Sequence, residues 1–187
     1  MLSKIWAQLS DHIGIESRAM YLYRLDASAW KPAPPPESEA EWSLLSREEI
    51  PLLTAISAPD LKQAELRLER GDRCYLARLD GRIAHHSWVQ TSGVHPITEA
   101  GLEHPVAPHE FWIYHCHTAD WARGHKLYPS ALARILGEHF GSGFKTAWIY
   151  TQDFNAVSQH GIERSQFVRT SIMRSVRAGR IYLPLRS

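Results

Sequence analysis

The sequence predicts a single α+β domain built on a mixed sheet flanked by helices, and three observations lead there. Apolar residues switch along the chain between alternation, the period of a strand, and three-to-four spacing, the period of a helix. Read in order, the elements run helix, loop, helix, hairpin, strand, helix, strand, helix, hairpin, and the hairpins exclude a strictly alternating doubly wound sheet. The 187 residues, 44% hydrophobic and 22% charged, are enough for one domain with a substantial core and have an ordinary globular balance.

Leu2, Ile5, Trp6, Leu9 and Ile13 fall on one helical stripe, so residues 2–13 are expected to open the chain as an amphipathic helix. Lys31-Pro32-Ala33-Pro34-Pro35-Pro36 reads as a loop, because proline lacks the N–H and constrains its predecessor. Ser46 and Glu49 have capping-box spacing, with Pro51 limiting the helix that follows. Leu61, Ala64 and Leu68 mark a helix over 59–70 that Gly71 stops. Two strand-like runs, 73–79 and 82–89, flank Asp80-Gly81, a dipeptide suited to a two-residue hairpin because both positions tolerate positive φ. After a stretch at 91–108 punctuated by glycine and proline, 111–117 is aromatic and apolar enough for a strand. Leu127, Ala131 and Ile135 define a helix over 127–140, with Pro129 in its first turn and Gly141 and Gly143 at its end. A strand at 145–150, a helix opening near Asn155, and an antiparallel pair at 166–176 and 180–183 complete the chain.

With 21 basic against 20 acidic residues, the net charge of +1 creates no overall field toward nucleic acid or an anionic membrane, so any anion site must be local. Two cysteines, Cys74 and Cys116, are too few for a disulfide scaffold and sit in strand-like surroundings, where buried thiols are the expectation. No run approaches membrane-spanning length, and Lys4, Gln8, Asp11 and His12 interrupt the apolar core that a signal peptide would need. A reducing, cytoplasmic setting is expected.

The chemistry concentrates between residues 110 and 128. A strand that turns into a helix presents free N–H groups and the positive helix end at one point, which suits a phosphate. Arg123-Gly124-His125-Lys126-Leu127-Tyr128 occupies that point, with Gly124 permitting close approach and Arg123 and Lys126 supplying charge. This run resembles the coenzyme A loop of the GNAT acyltransferases, Arg-Gly-x-Gly-x-Gly/Ala between the fourth strand and its helix. Asn155-Ala156-Val157-Ser158 resembles the family's later Asn-x-x-Ser/Ala, and Gln166-Phe167 its Gly-Phe-like pair. The resemblance spans about residues 71 to 175. It implies a GNAT-like, mostly antiparallel central sheet, with residues 1–41 as an N-terminal helical segment and Pro-rich loop and 42–187 as the acyltransferase domain.

The resemblance also implies acetyl-CoA or another acyl-CoA as co-substrate, bound by Cys116, His117, Thr118, Arg123, Gly124, His125, Lys126, Leu127, Tyr128, Asn155 and Ser158. Cys116, His117 and Thr118 would act through their backbone, on a strand that splays from its neighbour. An amine or hydroxyl acceptor would attack the thioester directly. Leu127-Tyr128-Pro129 resembles members associated with sugar acylation in polysaccharide synthesis, which points to an amino sugar; a homodimer is compatible with the family. The sequence departs from the pattern at four positions: Lys126 and Tyr128 replace small loop residues, Trp112 stands where members carry a catalytic glutamate, and Ile162 where they carry a tyrosine acid. The proton-transfer candidates left are His115, His117, Tyr114 and Glu110, and strand alternation puts His115 and His117 on one face, Tyr114 and Cys116 on the other.

Two other readings compete. His115-Cys116-His117 with Asp120 resembles the His-x-His-x-Asp-His signature of metallo-β-lactamase-like hydrolases, but Ala119 and Asp120 stand where aspartate and histidine belong, and no metal is expected. A coenzyme A-binding GNAT module without catalysis is the other, on the strength of Lys126 and Ile162.

Overall fold

The computed structural model describes residues 15–36, 38–56, 61–178 and 181–185. The helix expected over 2–13 lies outside the described residues. Among the described residues there are ten strands, β1 (Ile15–Asp26), β2 (Glu41–Leu44), β3 (Arg73–Leu79), β4 (Arg82–Gln90), β5 (Val94–Ile97), β6 (Leu102–Pro105), β7 (Glu110–Thr118), β8 (Thr146–Gln152), β9 (Val168–Ala178) and β10 (Ile181–Leu185). Three α-helices accompany them among the described residues: α1 (Leu61–Glu69), α2 (Leu127–Gly141) and α3 (Ala156–Arg164).

Eight strands make one sheet in the order β10-β9-β1-β8-β7-β4-β3-β2, and β5 pairs with β6 in a small ribbon. Every pairing in the main sheet is antiparallel except β7 with β8. The sheet is mixed and mostly antiparallel, as the sequence predicts. Because alternate residues of β7 face opposite sides, the core is divided between the two faces of the sheet. Phe111 and Ile113 pack with Leu132 and Ile135 of α2, while Tyr114 and Trp88 pack with Ala64 of α1 and with Ile50 and Leu53 of a 3-10 helix at Ile50–Ala55.

The hairpin at Asp80-Gly81 forms with both residues at positive φ, 50° and 72°, as that dipeptide allows. Glu49 does reach back to the Ser46 N–H at 2.9 Å, but the element it precedes is the short 3-10 helix with Pro51 in its first turn. The main difference from the sequence reading is β1. Residues 15–26 belong to the segment expected to be helix and loop, yet they form a strand held by β8 on one edge and β9 on the other. A strand paired on both edges and packed on both faces loses its clean alternation: Met20, Tyr23 and Leu25 are buried, and Tyr21 and Leu22 half-buried, so no period-two pattern marks it. The Pro-rich stretch then leads into β2, at the far edge.

Candidate functional site: a cleft between parted strands

The parallel pair β7 and β8 stays together for three residues only, Glu110 opposite Thr146, Phe111 opposite Ala147 and Trp112 opposite Trp148. The indoles of that last pair stack 5.7 Å apart at the point of separation. Beyond them β7 keeps its other edge on β4, with Tyr114 opposite Trp88 and His117 opposite His86. The edge of residues 113–118 that faces β8 is therefore free of strand partners, and a cleft opens in the middle of the sheet.

A bulge then re-aims the side chains. From Trp88 to His86 β4 advances two residues, while β7 advances three, from Tyr114 to His117. His115 takes up the extra residue at φ 49°, a left-handed conformation uncommon outside glycine and typical of such bulges near functional sites. Strict alternation separates Tyr114 from His115; the bulge instead brings both to the α1 side. Arg67 of α1 lies over the Tyr114 ring at 5.2 Å, and His86, on the same side, stacks with His115 at 5.5 Å and with His117 at 6.0 Å. Cys116 faces the opposite core, beside Tyr128.

On the α2 and α3 side, a cavity of about 640 Å³ is walled by Cys116, His117, Thr118, Arg123, Gly124, Lys126, Leu127, Tyr128, Asn155 and Ser158, together with His85 and Val157. All of the residues that the resemblance assigns to the cofactor line it, except His125. Lys126 is the N-cap of α2, at φ 57°, and no side chain caps the helix, so its first amides stay open at the cavity. Gly124 sits at φ 90° with open space around the position a Cβ would take. Asn155 caps α3 by accepting from the Ser158 N–H at 3.1 Å, and the hydroxyls of Ser158 and Tyr128 are 3.5 Å apart. Burial raises the Tyr128 phenol well above its ordinary pKa. His85 is fixed between the Thr118 and Ser87 hydroxyls at 2.7 and 2.8 Å, and burial pushes it down to about 3, so it is neutral.

On the α1 side lies a second cavity, about 410 Å³, whose lining includes Met20 of β1, Arg67 of α1 and Arg70 just past its end, Glu99 between β5 and β6, Tyr114 and His115 of β7, and Tyr150 and Gln152 of β8. Cys116, Tyr128, Asn155 and Ser158 line both cavities and mark where they meet. Asp72, buried at 5% exposure, receives the Arg70 guanidinium through both oxygens and the Tyr114 hydroxyl. That carboxylate, after burial, keeps the Tyr114 phenol protonated, so Tyr114 is no base. His115 is exposed as a residue, yet the protein around its ring, then the Arg67 charge, pushes it down to about 4. It is neutral at pH 7 and can accept a proton.

Glu110 stands in the paired part of β7 and lines neither cavity, which removes it from the proton-transfer candidates. Ile162 is fully buried in the α2-side core. Burial pushes the Cys116 thiol up to about 12, so it is not a nucleophile at neutral pH. Asp120 pairs with Arg123 on the surface, and among the described residues no three His, Cys, Asp or Glu are grouped so as to hold a metal ion. Sequence reading missed Arg67, Glu99 and Tyr150. None sits in a motif; the helical period at 61–68 reveals which side of α1 is buried, but not that Arg67 reaches over Tyr114.

No family model matches the chain, and no curated protein matches it in sequence. Solved structures do match in fold. A GCN5-related glucosamine N-acetyltransferase region of a fungal multi-domain GH3 β-N-acetylglucosaminidase superposes with TM-score 0.65 at 14% identity, over 92% of this chain and 22% of that one. An acetyltransferase of the GNAT family from Colwellia psychrerythraea gives 0.62 at 13%, over 87% and 55%. A functionally unknown conserved protein from Staphylococcus epidermidis gives 0.59 at 8%, over 92% and 66%, so the chain spans less than two thirds of each of these three. At such identities the likeness is one of fold, and the fold is that of the GNAT acetyltransferases.

Proposed function

We propose that the chain is an acyl-coenzyme A-dependent acyltransferase, most simply an acetyltransferase, acting on an amine or hydroxyl acceptor. The observation that carries this reading is the parting of β7 from β8 after Trp112, with a phosphate-suited helix start on one side of the gap and a polar chamber on the other. The pyrophosphate would rest on the open amides at the start of α2, near Arg123 and Lys126. The pantetheine arm would run along the unpaired edge of β7 and use its N–H and C=O groups as an added strand would. This brings the thioester to the junction at Cys116 and Tyr128.

The acceptor nitrogen then attacks the carbonyl carbon; the C–N bond forms, the C–S bond breaks, and amides of β7 steady the developing oxyanion. Neutral His115 takes the proton that the acceptor sheds. Tyr128, kept protonated by burial and steadied by Ser158, returns a proton to the departing thiolate. It supplies from α2 the phenol that Ile162 cannot supply from α3. Space for its ring exists because α3 carries Gly161 there: a Cβ at that position would lie 2.9 Å from Tyr128 Cε1.

Calorimetric titration with acetyl-CoA tests the reading. One-to-one binding is expected, and no heat at millimolar ligand would overturn it.

A further inference from the structure

The α1-side chamber contains two opposite charges, and among the described residues neither has a partner of opposite charge. Arg67 in α1 and Arg70, one residue past its end, both line the chamber, but they differ in state. Arg70 is paired with buried Asp72. Arg67 forms no ion pair with any described residue; its guanidinium lies over the rings of Trp88 and Tyr114, 5.2 Å from each. Stacking orients the guanidinium and leaves its in-plane N–H donors for a planar anion. Across the chamber, Glu99 Oε2 is shielded from water and has no hydrogen-bond donor among the described residues. Its backbone is held: Ser175 Oγ donates to the Glu99 carbonyl at 2.6 Å, and Gly101 beside it packs so tightly on the Tyr182 carbonyl that a Cβ would come within 2.4 Å. Tyr150 lies within the fields of both Glu99 and Arg67.

A buried acceptor without a donor and a cation without a counter-charge are each costly, and a ligand that satisfies both at once relieves both. We infer that the acceptor is an amine that also carries a carboxylate, a free amino acid in the broad sense, with its carboxylate on Arg67 and its ammonium directed to Glu99. An amino sugar would bring the ammonium but leave Arg67 without an anion. This rests on the acyltransferase reading for its chemistry, though not for its binding geometry.

The test is titration of the full chain with a panel of free L-amino acids, each beside its carboxamide, and with glucosamine, followed by thiol release from acetyl-CoA with the same compounds. The expected result is that at least one amino acid binds and is acylated, with its carboxamide at least about 30-fold weaker. Arg67→Gln should abolish that discrimination, whereas Glu99→Gln should weaken acid and carboxamide alike, since both keep the ammonium. Unchanged acetyl-CoA affinity in each variant reports an intact fold. Equal binding of acid and carboxamide, discrimination that survives Arg67→Gln, or response to glucosamine alone would each overturn the inference, as would no response to any amino acid. Amino-acid binding without acetyl-CoA binding would instead sink the acyltransferase reading and leave this one standing.

Discussion

On the α2 and α3 side of the parted strands about half of the cavity wall comes from one short stretch of chain, Arg123, Gly124 and Lys126 to Tyr128 with their neighbours, and the end of β7 and the cap of α3 stand beside it. On the α1 side many separate segments contribute side chains to the wall, among them the charges of Arg67, Arg70 and Glu99 and the phenols of Tyr114 and Tyr150. The first side presents backbone: an uncapped helix start and glycine at positive φ. The second presents side chains whose positions depend on packing of the whole domain. A site of the first kind tolerates changes of side chain; a site of the second kind fails when one buried partner is lost.

The largest effect expected from that difference is on acidification. His85, His86 and His95 are pushed down to about 3, about 2 and about 3 by burial, and His115 to about 4. The folded protein keeps these rings neutral while the unfolded chain takes up protons below about pH 6.5, so stability should fall as pH drops from about 6.5 toward 3 and be flat above. Urea unfolding between pH 7.5 and 5 measures this; a midpoint that does not move would contradict it. Next, Asp72→Ala strips Arg70 and Tyr114 of their shared partner and should cost about 3 kcal/mol in urea unfolding. A loss under about 0.5 kcal/mol, the range of an ordinary surface change, would show that this side is not built on that carboxylate.

At the junction, Tyr128→Phe keeps the ring and removes the acid, and kcat should fall about 100-fold with KM for acetyl-CoA unchanged. Gly161→Ala should give a smaller fall, about tenfold, by pushing the ring aside, while helix propensity keeps stability within about 1 kcal/mol. A rise in KM with kcat intact would assign Tyr128 to cofactor binding alone. The smallest effects belong to the backbone-built side. Lys126 holds φ 57°, a conformation that costs a lysine about 1 kcal/mol and glycine almost nothing. Lys126→Ala keeps that strain and loses the charge, so it should weaken coenzyme A about threefold to tenfold, and Lys126→Gly should weaken it less. Equal binding by all three proteins would show that the amides alone hold the phosphates.

The same contrast explains what was legible in the sequence. A strand, a turn and a helix start are consecutive, so residues 123–128 could be read as one local device, and Asp80-Gly81 set the β3–β4 hairpin in the same way. The α1-side chamber was illegible because Arg67, Glu99 and Tyr150 meet only after β1 enters the sheet between β8 and β9, and β1 itself carries no period. The bulge at His115 was hidden too: positive φ in a histidine leaves no compositional mark, and alternation assigned His115 and Tyr114 to opposite faces.

The central claim is that the gap between β7 and β8 receives an extended acyl-CoA arm while the start of α2 receives its pyrophosphate. Amide hydrogen exchange with and without acetyl-CoA tests both halves in one measurement. Protection is expected at residues 113–118 and at 124–128 together, with β3 and β10 unchanged; exchange at 113–118 that is unaffected by saturating acetyl-CoA would contradict it.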